Sequence, residues 1–227
     1  ERQNERLERF ASIVSHDLRN PLQVAQGRLA HVDPGDTAEH LDEAVDALDR
    51  MEELVDDLLE LARDGRDIDA TESVDVADTA RAAWSNVEAP ASTLRVDMAG
   101  TATADAGRLT QLFENLFRNA VEHGSTDNRR ESADDSIEYA DDCSPVETTI
   151  TVGAMDDGFY VADDGPGIPE ADRDDVFEAG YSTNEDGTGF GLDIVREIVE
   201  AHGWAIAVTE SESGGARFEI TGLSLDD

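Results

Sequence analysis

His16 is the residue whose surroundings most suggest chemistry. In the segment Phe10–Leu22, FASIVSHDLRNPL, a helical step of about 100° per residue gathers Phe10, Val14, Leu18 and Pro21 on one stripe. His16 falls on the opposite side, among Arg9, Ser12, Arg19, Asn20 and Gln23. Asp17 is beside it, and Asn20 follows one turn later. An imidazole held out to water next to a carboxylate can handle a proton or a phosphoryl group near neutral pH. A solvated surface histidine is the competing reading, and this segment alone does not choose between them.

Three downstream constellations bear on one ligand. Asn115 and Asn119 in LFENLFRNAVEHG are spaced i, i+4 and share a helix face. Their amide oxygens can hold a hydrated Mg²⁺ and orient phosphates; an ordinary exposed face explains the pair equally well. In Val161-Ala-Asp163-Asp-Gly165-Pro-Gly167-Ile168-Pro169 a strand ends in a carboxylate followed by glycines. Asp163 can accept a hydrogen bond from an exocyclic amine such as that of adenine, although a plain Asp-Gly turn would look similar. Gly187-Thr188-Gly189-Phe190-Gly191-Leu192 opens a helix, whose first amides suit an anionic phosphate. It is not the dinucleotide fingerprint, because no strand leads into it.

These residues need elements to hold them. A helix is expected over about 3–31, kinked at Pro21. Val32-Asp33-Pro34-Gly35 marks a turn, and Asp36–Glu39 reads as a capping box. The second helix carries Leu41, Ala44, Leu48, Met51, Val55, Leu58 and Ala62 at alternating three- and four-residue spacing. Such a hairpin buries its seam by pairing as a four-helix bundle, so residues 1–64 are expected to form a homodimer. Packing of the hairpin on the downstream domain is the alternative. Residues 1–66 form the first predicted domain, 67–72 a linker and 73–227 the second.

In the second domain the pattern predicts a helix near 75–88 and strands at 94–100 and 101–105. A helix over 106–123 follows, capped by Asp105 and stopped by Gly124. Strands near 147–153 and 158–163, a helix near 190–202 and strands at 204–209 and 216–221 complete it. The expected class is α+β: a helical hairpin, then a two-layer sandwich with helices on one face of a mixed sheet. Residues 124–149 read as an acidic, mobile insertion in which Cys143 is incidental.

Composition narrows the setting. Acidic residues number 54 and basic ones 17, all arginine, for a net charge of −37. The acids are interleaved with apolar periodicity, which a disordered acidic tail would lack. Such a surface repels itself unless screened by concentrated salt, as in the cytoplasm of a salt-in halophile. It argues against nucleic acid as a partner. One cysteine excludes a disulfide framework. No apolar run spans a bilayer and no signal peptide is visible, so a cytoplasmic setting is expected. The chain begins in mid-helix pattern without Met. It is expected to be the C-terminal part of a longer protein whose upstream sensor region, membrane-tethered or not, lies beyond it.

In their order, the Asn115/Asn119, Asp163–Gly167 and Gly187–Gly191 motifs resemble the N, G1 and G2 boxes of histidine kinases. Phe177 with Gly180-Tyr181-Ser182-Thr183 resembles the F box, and FASIVSHDLRNPL the H box of the dimerisation and phosphotransfer domain. The lysine-free, acidic version looks haloarchaeal. The resemblance implies that His16 takes the γ-phosphoryl group of ATP, with Asp17 orienting the imidazole and Asn20 linked to dephosphorylation of a response-regulator receiver domain. It implies that Asn119 binds Mg²⁺, Asn115 supports the phosphates, and His123 lines the site. It implies that Asp163 reads adenine, while Gly165, Gly167, Ile168, Gly187, Thr188, Gly189, Phe190, Gly191 and Leu192 shape the pocket. Residues 168–187, with Phe177, Tyr181, Ser182 and Thr183, would form the ATP lid. One departure stands out: Glu122 occupies a position that is often basic in the family, and the lid from Asp174 to Gly187 has no basic residue. Mg²⁺ and helix amides, helped by Arg118, would then supply the neutralisation that phosphoryl transfer needs. A non-catalytic scaffold and an ATP-driven clamp on the same fold are the rival readings; the clamps lack the HDxxNP hairpin.

Overall fold

A computed structural model describes residues 22, 41, 45, 48, 51, 70–87, 89, 92–124, 148–178, 181 and 189–226. They belong to two compact units, residues 1–64 with 179–190, and residues 65–178 with 191–227. In the first, Leu22, Leu41, Val45, Leu48 and Met51 are helical. Leu41, Val45 and Leu48, four and three residues apart and therefore on one helix face, are 45, 52 and 51 % exposed within the single chain. The rest of the expected seam, the Pro21 kink and most of the 124–149 insertion lie outside the described residues.

The second unit runs β1 (Glu72–Asp75), α1 (Val76–Trp84), β2 (Thr93–Asp97), β3 (Thr101–Ala104), α2 (Ala106–Gly124), β4 (Thr149–Met155), β5 (Gly158–Asp163), α3 (Gly191–Ala201), β6 (Ala205–Glu210) and β7 (Ala216–Thr221), with a 3₁₀ turn at Asp175–Phe177. Five strands form a sheet in the order β2-β4-β5-β7-β6. Only β2 and β4 pair in parallel; the other neighbours are antiparallel. β1 and β3 form a separate antiparallel ribbon. The helix near 75–88 is shorter than expected and ends at Trp84. β1 has no counterpart in the sequence reading, because ESVD is too short and polar to signal a strand. Its partner β3 supplies the pairing from far along the chain.

Alternation along the strands puts Ile150, Val152, Phe159, Val161, Phe218 and Ile220 into the core, against the apolar sides of the helices. α2 contributes Leu109, Leu112, Phe113, Leu116 and Phe117, each no more than 1 % exposed. Phe113 stacks on Phe117 at 5.6 Å between ring centres and meets Phe159 at 5.4 Å. Burying each such ring stabilises the fold by roughly 1.5–3 kcal/mol. That packing fixes α2 against the sheet and so fixes the polar residues on its other side. α2 starts as expected: Asp105 Oδ1 accepts from the N–H groups of Gly107 (3.0 Å) and Arg108 (3.1 Å).

Candidate nucleotide site

α2 and α3 run antiparallel. At one end the N–H of Asp105 donates to His202 Nε2 at 3.0 Å. At the other, a Cβ placed on Gly191 would lie 3.3 Å from Asn115 Oδ1 and 3.7 Å from Asn119 Oδ1. The first turn of α3, whose leading amides have no acceptor within the helix, therefore faces both asparagines. Asn115 is buried, and its Nδ2 donates to the Gln111 carbonyl at 3.1 Å, which turns Oδ1 outward. Asn119 Nδ2 is buried and, among the described residues, has no hydrogen-bond partner. An orphaned amide in a packed polar site is costly unless a ligand completes it. Its O and N ends exchange by a half-turn, so it can offer either a donor or an acceptor.

One more turn along α2 brings the other end of the site. Eight residues separate Asn115 from His123, about 12 Å of helix. A Cβ on Gly165 would sit 3.5 Å from Gly124 Cα, so the turn after β5 and the end of α2 approach backbone to backbone. Asp163 closes β5 there. Its Oδ1 accepts from the N–H of Gly165 at 2.9 Å and of Ala216 at 3.1 Å. Among the described residues neither bond uses Oδ2, which remains to meet a donor. Burial pushes the Asp163 carboxyl above its ordinary range; those two hydrogen bonds and His123 oppose the shift, and Asp164 adds to it. Burial holds the His123 imidazole below its ordinary value, opposed by the charge of Asp163. Asp164, next in sequence, acts elsewhere, since its Oδ1 accepts from the Thr149 N–H at 2.7 Å and pins the start of β4.

Gly167 has φ +72°, and a Cβ there would lie 2.8 Å from the Gly214 carbonyl oxygen. Both the backbone angle and the close approach require glycine. Ile168 and Leu192 are half-buried. The Ile168 carbonyl accepts from Arg173 Nε at 3.1 Å. Phe177 is 7 % exposed and meets Phe218 edge-on at 6.5 Å, so the segment after the glycine turn is anchored in the core. The structure thus brings Asn115, Asn119, His123, Asp163, Gly165 and Gly191 along one side of α2. Tyr181, Gly189 (φ +71°) and buried Phe190 fall in the other compact unit. His16, Asp17, Asn20, Ser182, Thr183, Gly187 and Thr188 lie outside the described residues.

Three residues behind Asp163 were not assigned to the site by the sequence reading: Ser211, Gly215 and Ala216. SESGGA looks like an ordinary turn between two strands, and only sheet register brings it to Asp163.

A family model described as histidine kinase-, DNA gyrase B- and HSP90-like ATPase matches residues 104–226, and the His Kinase A phospho-acceptor domain matches residues 6–66. The chain belongs to the sensor histidine kinases. Sensor histidine kinase ZraS of Salmonella typhi is 30 % identical over 228 residues, covering 93 % of this chain and 44 % of ZraS. The chain therefore spans under half the length of that relative. Among solved structures, full-length ShkA in complex with AMPPNP is 26 % identical with a TM-score of 0.59, covering 96 % of this chain and 46 % of ShkA. The histidine kinase AdeS of Acinetobacter baumannii, at 20 % identity and TM-score 0.59, shares the fold over 93 % of this chain and 98 % of its own. In this histidine kinase core, no described helix is long and apolar enough to cross a membrane.

Proposed function

We propose that this chain is the catalytic core of a sensor kinase that binds ATP and phosphorylates its own His16. The observation that carries the reading is the convergence of the α3 N-terminus on Asn115 and Asn119, with Asp163, at the end of β5, beside the His123–Gly124 end of α2. Phosphates belong at the first end and adenine at the second. The side-chain oxygens of Asn115 and Asn119 beside Gly191 fit a hydrated, oxygen-seeking cation, and Asn119 is the residue proposed to hold Mg²⁺. Mg²⁺, when bound, neutralises phosphate charge in a chain that places Glu122 rather than a cation nearby.

In the proposed reaction an imidazole nitrogen of His16 forms a bond to the γ-phosphorus as the bond to the β-phosphate oxygen breaks. ADP leaves, and Asp17 takes the proton released from the imidazole. The phosphoryl group then passes to an aspartate of a response-regulator receiver domain, which restores His16. Asn20, four residues further on in the sequence, is the residue proposed to orient water for the opposite reaction, dephosphorylation of that partner. Residues 1–66 form the phosphotransfer domain, 67–72 the linker and 73–227 the ATP domain, with 168–187 as its lid. The exposed Leu41, Val45 and Leu48 support a homodimer through residues 1–64. An upstream sensor and a salt-rich cytoplasm complete the reading.

Incubation with labelled ATP and Mg²⁺ in molar KCl tests it. The wild-type chain is expected to acquire acid-labile, base-stable label, and Asn119→Ala is expected to lose at least about 90 % of it through loss of metal and phosphate binding. Equal labelling of Asn119→Ala would overturn the site.

A further inference from the structure

The turn from Ser211 to Ala216 reaches out of its own hairpin to hold Asp163, 48 residues earlier in the chain. Ser211 Oγ donates to the Asp163 carbonyl at 2.7 Å and accepts from the Gly215 N–H at 2.9 Å. The turn also closes internally, by Ser211 N–H to the Gly215 carbonyl at 2.8 Å and Gly214 N–H to the Ser211 carbonyl at 3.0 Å. Those internal bonds are enough to make a turn, so the bond to Asp163 is an addition. A Cβ on Gly215 would overlap both the carbonyl and Oδ1 of Asp163, so the two backbones touch. The next residue, Ala216, donates its N–H to Oδ1.

We propose that Ser211 is a positioning residue for Asp163: its hydroxyl locks the 211–216 turn against the end of β5, so that the carboxylate presents Oδ2 at one fixed angle and discriminates adenine from guanine. This rests on the reading of Asp163 as the adenine acceptor. Adenine offers an amine donor where guanine offers a carbonyl oxygen, which a carboxylate repels. Oδ1 is held from two sides, by Gly165 in its own turn and by Ala216 from β7. Removing the Ser211 hydroxyl frees the Asp163 carbonyl and strips the buried Gly215 N–H of its acceptor. The turn then drifts, Ala216 leaves Oδ1, and the carboxylate rotates.

The test is calorimetric titration of the full chain with ATP and with GTP, Mg²⁺ present, in concentrated KCl. Asp163→Asn serves as the reference. Ser211→Ala is expected to bind ATP about tenfold more weakly, GTP nearly as before, and so to lose most of the ATP-over-GTP preference. Ser211→Thr, which keeps the hydroxyl, is expected to retain the preference. A purely structural role would lower the melting temperature of Ser211→Ala and leave the base preference intact; that result overturns the proposal, as does equal loss in Ser211→Thr. Should Ser211→Ala fail to fold, Ser211→Cys replaces it: a reduced preference supports the proposal and an unchanged one overturns it. If Asp163→Asn itself keeps the preference, the adenine reading fails and this inference with it. If Asp163→Asn loses it and Ser211→Ala does not, only the inference fails.

Discussion

At the residue scale, the site depends on a carboxylate kept in an uncomfortable state. As the proposed adenine acceptor, Asp163 must be ionised, because a proton on Oδ2 would oppose one donor with another. Its buried setting favours the protonated form. ATP affinity is therefore expected to fall in mild acid, at a higher pH than an ordinary aspartate would dictate, and titration of binding against pH measures it. Affinity that holds until the ordinary carboxylate range would contradict that setting. The stability of the ligand-free protein moves the other way for this group. A carboxyl with a raised folded-state pKa stabilises most when protonated, and that contribution is lost as pH rises through the folded value. His123 has a lowered pKa, so its contribution is present above the unfolded value and is lost as pH falls through the folded one. Denaturant melts of His123→Gln and Asp163→Asn across mild acid separate the two, since each variant should flatten one limb.

At the element scale, α2 is the ruler on which the site is laid out, and His202 sets its registration with α3. The His202 Nε2 accepts from Asp105 N–H while Nδ1, at 2.8 Å from the Ile198 carbonyl, carries the hydrogen and donates to it. The ring also stacks on Trp204 with centres 4.3 Å apart. His202→Ala orphans a part-buried N–H and removes a stack, at a cost of about 2–3 kcal/mol by denaturant unfolding. Phe113→Ala, in the ring cluster beneath the same helix, is expected to cost about 3–5 kcal/mol. α2 was legible in the sequence because its signals agree: the Asp105 cap, apolar periodicity and Gly124 at the end. The strand–Asp–Gly turn at 158–167 and the helix after Gly191 were legible for similarly local reasons. β1 and the Ser211 turn were not, because what defines them is a partner distant in the chain. ESVD becomes a strand only against TATA, and SESGGA becomes part of a site only when β7 lies beside β5.

At the scale of the whole molecule, a charge of −37 works against both compactness and ATP binding. Screening lengths near 3 Å at about 1 M salt remove most of that repulsion while sparing short contacts inside the site. Kinase activity is accordingly expected to rise with KCl into the molar range and to depend steeply on Mg²⁺; a maximum at low ionic strength would contradict this. The proposed reaction needs both units, since an ATP site on the second serves only if His16 of the first receives the phosphoryl group. The most direct measurement is labelling of the full chain by γ-labelled ATP and Mg²⁺ in molar KCl, wild type against His16→Gln. The account predicts acid-labile, base-stable label in the wild type and none in the variant, with ATP binding unchanged. Label retained in His16→Gln would contradict it.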